Sequence, residues 1–133
     1  MLGDREASFS QVLRSERPVV LNFWGGQCPP CRAEMPDFQR VADDFEGQVI
    51  FLGIDIGPLT GLGSHEDARR LLLDLGVRYP TAYAVDATPI DIYRVNAMPT
   101  TIFVKPNGEV ASRRPGAMSE SELRSGVERL IEA

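Results

Sequence analysis

The chain has 133 residues, 43% hydrophobic and 25% charged, a globular mix that excludes a disordered or fibrous protein. Nineteen acidic against fourteen basic residues give a net charge of -5, and no basic stripe exists to displace counterions, so a nucleic-acid partner is excluded. No apolar stretch approaches the ~20 residues of a membrane helix, and Met1–Glu6 has no apolar leader. The expectation is one soluble, monomeric domain over 1–133, membrane-anchored only if a longer precursor supplies the anchor.

Phe9, Val12 and Leu13 predict a short helix over Ser8–Glu16. Val19–Trp24 is a β-rich apolar run, expected of a strand buried on both faces. Gly25-Gly26 ends it, and Pro29 opens a helix, because proline suits the first helical position. Along that helix Cys31, Met35, Phe38, Ala42 and Phe45 form one apolar stripe, with Arg32, Glu34, Asp37, Arg40, Asp43 and Asp44 mostly off it. Pro36 sits inside this helix and removes one of its hydrogen bonds. A second buried strand follows over Gln48–Asp55, then a glycine-rich loop over Gly57–Gly63. A helix over Glu66–Leu75 buries Ala68, Leu71, Leu72 and Leu75 and stops at Gly76. Thr81–Val85 reads as a short strand and Pro89–Val95 as a short helix. Thr100–Val104 and Glu109–Arg113 flank Lys105-Pro106-Asn107-Gly108, a hairpin turn signal. Ser119-Glu120-Ser121-Glu122 is a capping box opening a last helix that buries Leu123, Val127 and Leu130. Strands alternating with helices before a closing hairpin predict an α/β fold, a central mixed β-sheet flanked by helices on both faces.

The chemistry concentrates in the two cysteines, Cys28 and Cys31, which form a single Cys-x-x-Cys. One His and two Cys cannot build a four-ligand zinc site. A disulfide across so small a loop stabilises little, so elimination leaves a redox pair. Such a pair needs one exposed thiolate at a helix N-terminus, where the dipole favours charge, and a second thiol one turn on. Cys28 falls at the N-cap and Cys31 at N3. Pro29 and Pro30 carry no N–H, so only the Cys31 amide supports a Cys28 thiolate. A modestly stabilised thiolate favours reducing substrates over oxidising them. The redox-active disulfide needs no metal or organic cofactor, and its electrons come from a partner dithiol. Glu34 and Asp55 are candidate proton relays to Cys31, though ordinary solvated carboxylates are the plainer reading.

Val19–Pro36, with Leu21-Asn22-Phe23-Trp24 leading to Cys28-Pro29-Pro30-Cys31-Arg32-Ala33-Glu34-Met35-Pro36, resembles the thioredoxin superfamily, in particular its TlpA/ResA-like branch. Met98-Pro99-Thr100-Thr101 resembles the cis-proline loop of that family, and Gly116-Ala117 the segment lining the same groove. The resemblance implies a thioredoxin fold and a thiol–disulfide oxidoreductase with Cys28 as nucleophile and Cys31 as resolving thiol. It implies a substrate groove at Trp24, Met98, Pro99 and Gly116, with a cis Met98–Pro99 bond and a Met98 backbone open to strand addition. The partners implied are protein thiols and disulfides and an electron-donor dithiol protein. The branch includes proteins that serve cytochrome c maturation. It favours an extracytoplasmic location, although two cysteines alone fit the cytosol as well. Gln27 departs from the bulky residue usual before the first cysteine, which opens the surface there. Asn22 stands where cytoplasmic thioredoxins carry a buried Asp; an amide cannot take the Cys31 proton, so Asn22 joins Pro29 and Pro30 as a redox-tuning position. A rival on similar folds is a thiol-based copper-binding module, since Cu(I) suits thiolates; it would add His65, which otherwise reads as a surface residue.

Overall fold

The computed structural model describes Val12 and residues 15–132. The helix expected over Ser8–Glu16 lies largely outside these residues; Val12 is buried, and Glu16, at φ 61, has left helical backbone. Strand β1 (Val19–Trp24) is buried at all six positions, as its unbroken apolar run requires. It pairs in parallel with β2 (Ile50–Asp55), which in turn pairs in parallel with β3 (Thr81–Tyr83). On its other side β1 is antiparallel to β4 (Thr100–Val104), and the hairpin through Gly108 brings β5 (Val110–Pro115) antiparallel to β4. The five-stranded mixed sheet has the order β3-β2-β1-β4-β5.

Helices cover both faces. On one, α1 (Pro29–Asp44) and α5 (Glu120–Glu132) enclose Val20, Phe38, Val41, Phe51, Phe103, Leu123 and Val127. On the other, Val19, Leu21, Phe23, Leu52, Ile54 and Ile102 pack with Val12 and Tyr93, beside α4 (Thr88–Ile92). The expected glycine-rich loop after β2 begins instead as one helical turn, α2 (Gly57–Thr60). Pro58 suits its first turn and Gly61, at φ 77, supplies the left-handed residue that closes it. Helix α3 (His65–Leu75) starts one residue earlier than expected, because Ser64 and Asp67 cap each other's backbone N–H. The Ser119–Glu122 box opens α5 in the same way, at 2.9 and 3.2 Å. The remaining shifts are at element ends, where β3 stops at Tyr83 and α4 at Ile92.

The approach to the cysteines is fixed by contact with α3. A Cβ on Gly26 would lie 2.5 Å from the Ala68 nitrogen and 2.6 Å from the Asp67 carbonyl carbon, both backbone atoms. Gly26→Ala is expected to cost about 1–3 kcal/mol and lower the thermal midpoint. An unchanged melting curve would show that the α3 N-terminus yields freely.

Candidate active site

Cys28 caps α1 in an extended conformation, and its Sγ accepts from the Cys31 N–H at 3.4 Å. The two cysteines are joined as a disulfide with Cα atoms 5.3 Å apart. Pro29 and Pro30 occupy the first helical turn on the exposed side and offer no donor. The exposed sulfur expected at Cys28 is not what the oxidised protein presents: Cys28 is 3% exposed and Cys31 1%. Both are closed in by Trp24, Met35, Ala68 and Leu71, with Leu62 and Met98 packed against them. Trp24 is itself 1% exposed, so this expected groove residue is a wall of the core around the disulfide and offers no face to a substrate. Nor does Gln27 open the surface. Its N–H donates to the Leu62 carbonyl at 2.9 Å and its Nε2 to Asp67 Oδ2 at 3.0 Å, tying the Cys28 approach to α3.

The Met98–Pro99 bond is cis, as expected from the motif. Half-buried Met98 joins the cluster around the disulfide, while the Gly116 N–H donates to the Pro99 carbonyl at 2.7 Å. Met98 therefore stands beside the cysteine pair, and Gly116 is tied to the Pro99 that follows it. Among the described residues the Met98 backbone N–H and C=O have no partner.

Asn22 and Glu34 form a buried polar pair, 2% and 3% exposed. Asn22 Nδ2 donates to Glu34 Oε1 at 3.2 Å and to Thr101 Oγ1 at 3.3 Å, and the Met118 N–H donates to Glu34 Oε2 at 2.7 Å. Burial raises the Glu34 carboxyl from 4.5 to about 7, outweighing the two hydrogen bonds that lower it; Asp37 adds a further rise. Glu34 is thus not the solvated carboxylate expected, and Asn22 does not leave the site without an acid. The acid comes from α1, one turn beyond Cys31 and on the same side. A signal existed: Glu34 lies three residues after Cys31 and four before Phe38, at the margin of the apolar stripe.

Asp55, at the end of β2, is also buried rather than solvated, at 4% exposed. Burial raises its carboxyl, while Gly57 N–H at 2.8 Å and His65 Nδ1 at 3.0 Å oppose the rise. It therefore ties the ends of α2 and α3 together. Half-exposed His65 packs against Tyr83, the rings tilted at 51° with centroids 4.4 Å apart. Among the described residues no three His, Cys, Asp or Glu side chains converge as a metal site.

Residues 2–113 match the model of the AhpC/TSA family. The chain belongs to the AhpC/TSA family. It is 29% identical over 129 residues to the thiol-disulfide oxidoreductase ResA of Halalkalibacterium halodurans, covering 96% of this chain and 71% of that protein. It is 32% identical over 105 residues to the ResA of Bacillus subtilis, covering 79% of this chain and 56% of that one. The chain thus spans little more than half of this second relative. A secreted Mycobacterium tuberculosis disulfide oxidoreductase superposes with a TM-score of 0.71 at 25% identity, over 88% of this chain and 84% of that structure. As an AhpC/TSA member with ResA relatives, the chain bears out the thioredoxin-superfamily, ResA-like resemblance of its motifs.

Proposed function

We propose that this chain is a thiol–disulfide oxidoreductase that reduces disulfides of proteins. The observation that carries the reading is the Cys28–Cys31 disulfide at the α1 N-cap, one turn from the buried carboxyl of Glu34. In the reduced protein the Cys28 thiolate attacks one sulfur of a substrate disulfide and expels the other as a thiolate. Cys31 then gives its proton to Glu34 and attacks Cys28 Sγ; the mixed disulfide breaks and the second substrate thiolate leaves. A dithiol protein restores the pair by the same exchange, supplying two electrons. The Met98 backbone, Pro99 and Gly116 seat an extended segment of the substrate beside the sulfurs, so that backbone pairing dominates over side-chain readout.

The direction follows from how little holds a thiolate at Cys28. The Cys31 N–H is the donor at hand, Pro29 and Pro30 contribute none, and Arg32 is exposed on the following turn. Weak stabilisation of the reduced form makes a reducing pair. An extracytoplasmic location and action as a monomer complete the reading; the ResA-like resemblance and the secreted Mycobacterium tuberculosis neighbour support the location. Among the described residues no helix is long and apolar enough to cross a membrane.

Equilibration of the metal-free protein with glutathione buffers tests the direction. The expected potential lies between about -270 and -200 mV. A value above roughly -150 mV would mean an oxidase, and failure to accelerate insulin reduction would remove the activity altogether.

A further inference from the structure

Helix α4 ends in a turn that calls for a left-handed residue. The Arg94 N–H donates to the Asp91 carbonyl at 3.3 Å and the Val95 N–H to the Ile90 carbonyl at 2.9 Å, with Arg94 itself at φ 54. Glycine takes this conformation freely, whereas a residue with a Cβ is strained there. Such strain persists where the surroundings hold it, often beside a functional site. The Arg94 side chain is exposed, so the hold is on its backbone.

Arg113 of β5 supplies it. Arg113 pairs with Ile102, which packs with Ile90, Tyr93 and Val95, and residues in register share a face. From there its Nε and Nη2 both donate to the Arg94 carbonyl, at 3.1 and 2.7 Å, and Nη2 also reaches Asn96 Oδ1 at 3.3 Å. Among the described residues Arg113 pairs with no carboxylate, so its donors serve this turn. Two residues then lead from Asn96 to the disulfide. The Ala97 carbonyl accepts from the buried Thr100 hydroxyl at 2.6 Å, and Met98 packs in the cluster around the cysteines with its backbone N–H and C=O unpartnered among the described residues. Arg113 before it and Thr100 after it thus fix the segment that carries Met98. A segment ordered in advance binds an extended partner more tightly than one that must be ordered on binding.

We propose that Arg113 is a positioning residue for substrate binding, its guanidinium holding the Arg94–Asn96 turn so that the Met98 backbone is set to receive an extended substrate segment. The proposal rests on Met98 being that seat. Arg113→Ala removes the hold and leaves the cysteines and the Met98 segment unaltered in sequence. In insulin reduction its KM is expected to rise roughly tenfold with kcat unchanged, since hydrogen bonds that pre-order the loop are lost. Reaction of the reduced protein with a small disulfide, dithiobis-nitrobenzoate, keeps its rate, because that substrate needs no backbone seat. Exchange of the Val95 amide hydrogen speeds up as the turn loosens. Adding Arg94→Gly to Arg113→Ala returns the insulin KM to near the wild-type value, because glycine closes the turn without strain. An unchanged KM in Arg113→Ala overturns the proposal, and so does a KM that stays raised after Arg94→Gly. Equal slowing of insulin and the small disulfide overturns it too, since Arg113 would then act through the fold as a whole. Wild-type protein that does not reduce insulin removes the reading beneath, whereas wild-type turnover with the KM unmoved in Arg113→Ala removes this proposal alone.

Discussion

Cys31→Ser will stall as a covalent mixed disulfide with its substrate, and turnover in insulin reduction will fall by at least about 10³-fold. The physical reason is effective concentration: a thiol one helical turn from Cys28 reacts as though present at far more than molar levels, which millimolar external thiol cannot match. The pair is built for this, with Cys28 at the cap, Cys31 at N3 and Cα atoms 5.3 Å apart. Mass spectrometry under non-reducing conditions detects the adduct, whereas Cys28→Ser forms none. Sustained turnover by Cys31→Ser would mean that a thiol outside the pair does the resolving.

Glu34→Gln is expected to change both stability and rate, in opposite senses. The carboxyl titrates near 4.5 when exposed and at about 7 in the folded protein. Between these values the folded state keeps a proton that the unfolded chain has released. The raised affinity therefore favours the folded state fully below about pH 4.5, and this advantage is lost as pH rises through 7. The loss amounts to roughly 3 kcal/mol. Gln resembles the neutral acid and cannot ionise, so the variant matches wild type at pH 4 and exceeds it at pH 8 in urea denaturation. It also cannot accept the Cys31 proton, and resolution near neutral pH falls about 10²-fold, within the usual range for a lost general base. Stability curves that run parallel from pH 4 to 8 would show that no buried acid titrates at position 34.

Much of the site could be read along the chain because local rules decide it. Pro29 at the first helical position made Cys28 the cap and Cys31 the third residue, whatever packs around them. The unbroken apolar run Val19–Trp24 had to be a strand covered on both faces, and Asn107-Gly108 had to turn the hairpin that follows β4. The capping pair Ser119–Glu122 acts within four residues and needs no distant partner. The cis Met98–Pro99 bond was expected on other grounds, the resemblance of Met98-Pro99-Thr100-Thr101 to a cis-proline loop.

What escaped that reading depends on residues far apart in the chain. Glu34 looked like one more charge beside the stripe, because periodicity weighs a residue by its type and not by the partners that meet it. It is buried because the Met118 N–H, 84 residues away, and Asn22 from β1 both donate to it, and a carboxyl so enclosed becomes a weak acid. Asp55 left solvent for the same reason, once Gly57 and His65 offered donors. Cys28 closed over because Leu62, Met98 and α3 converge on it. Motif and helix position chose the reacting sulfurs; the proton acceptor beside them, and the cover over them, arose from contacts between β1, α1, α3 and the segment before α5, where burial sets the acidity of each group.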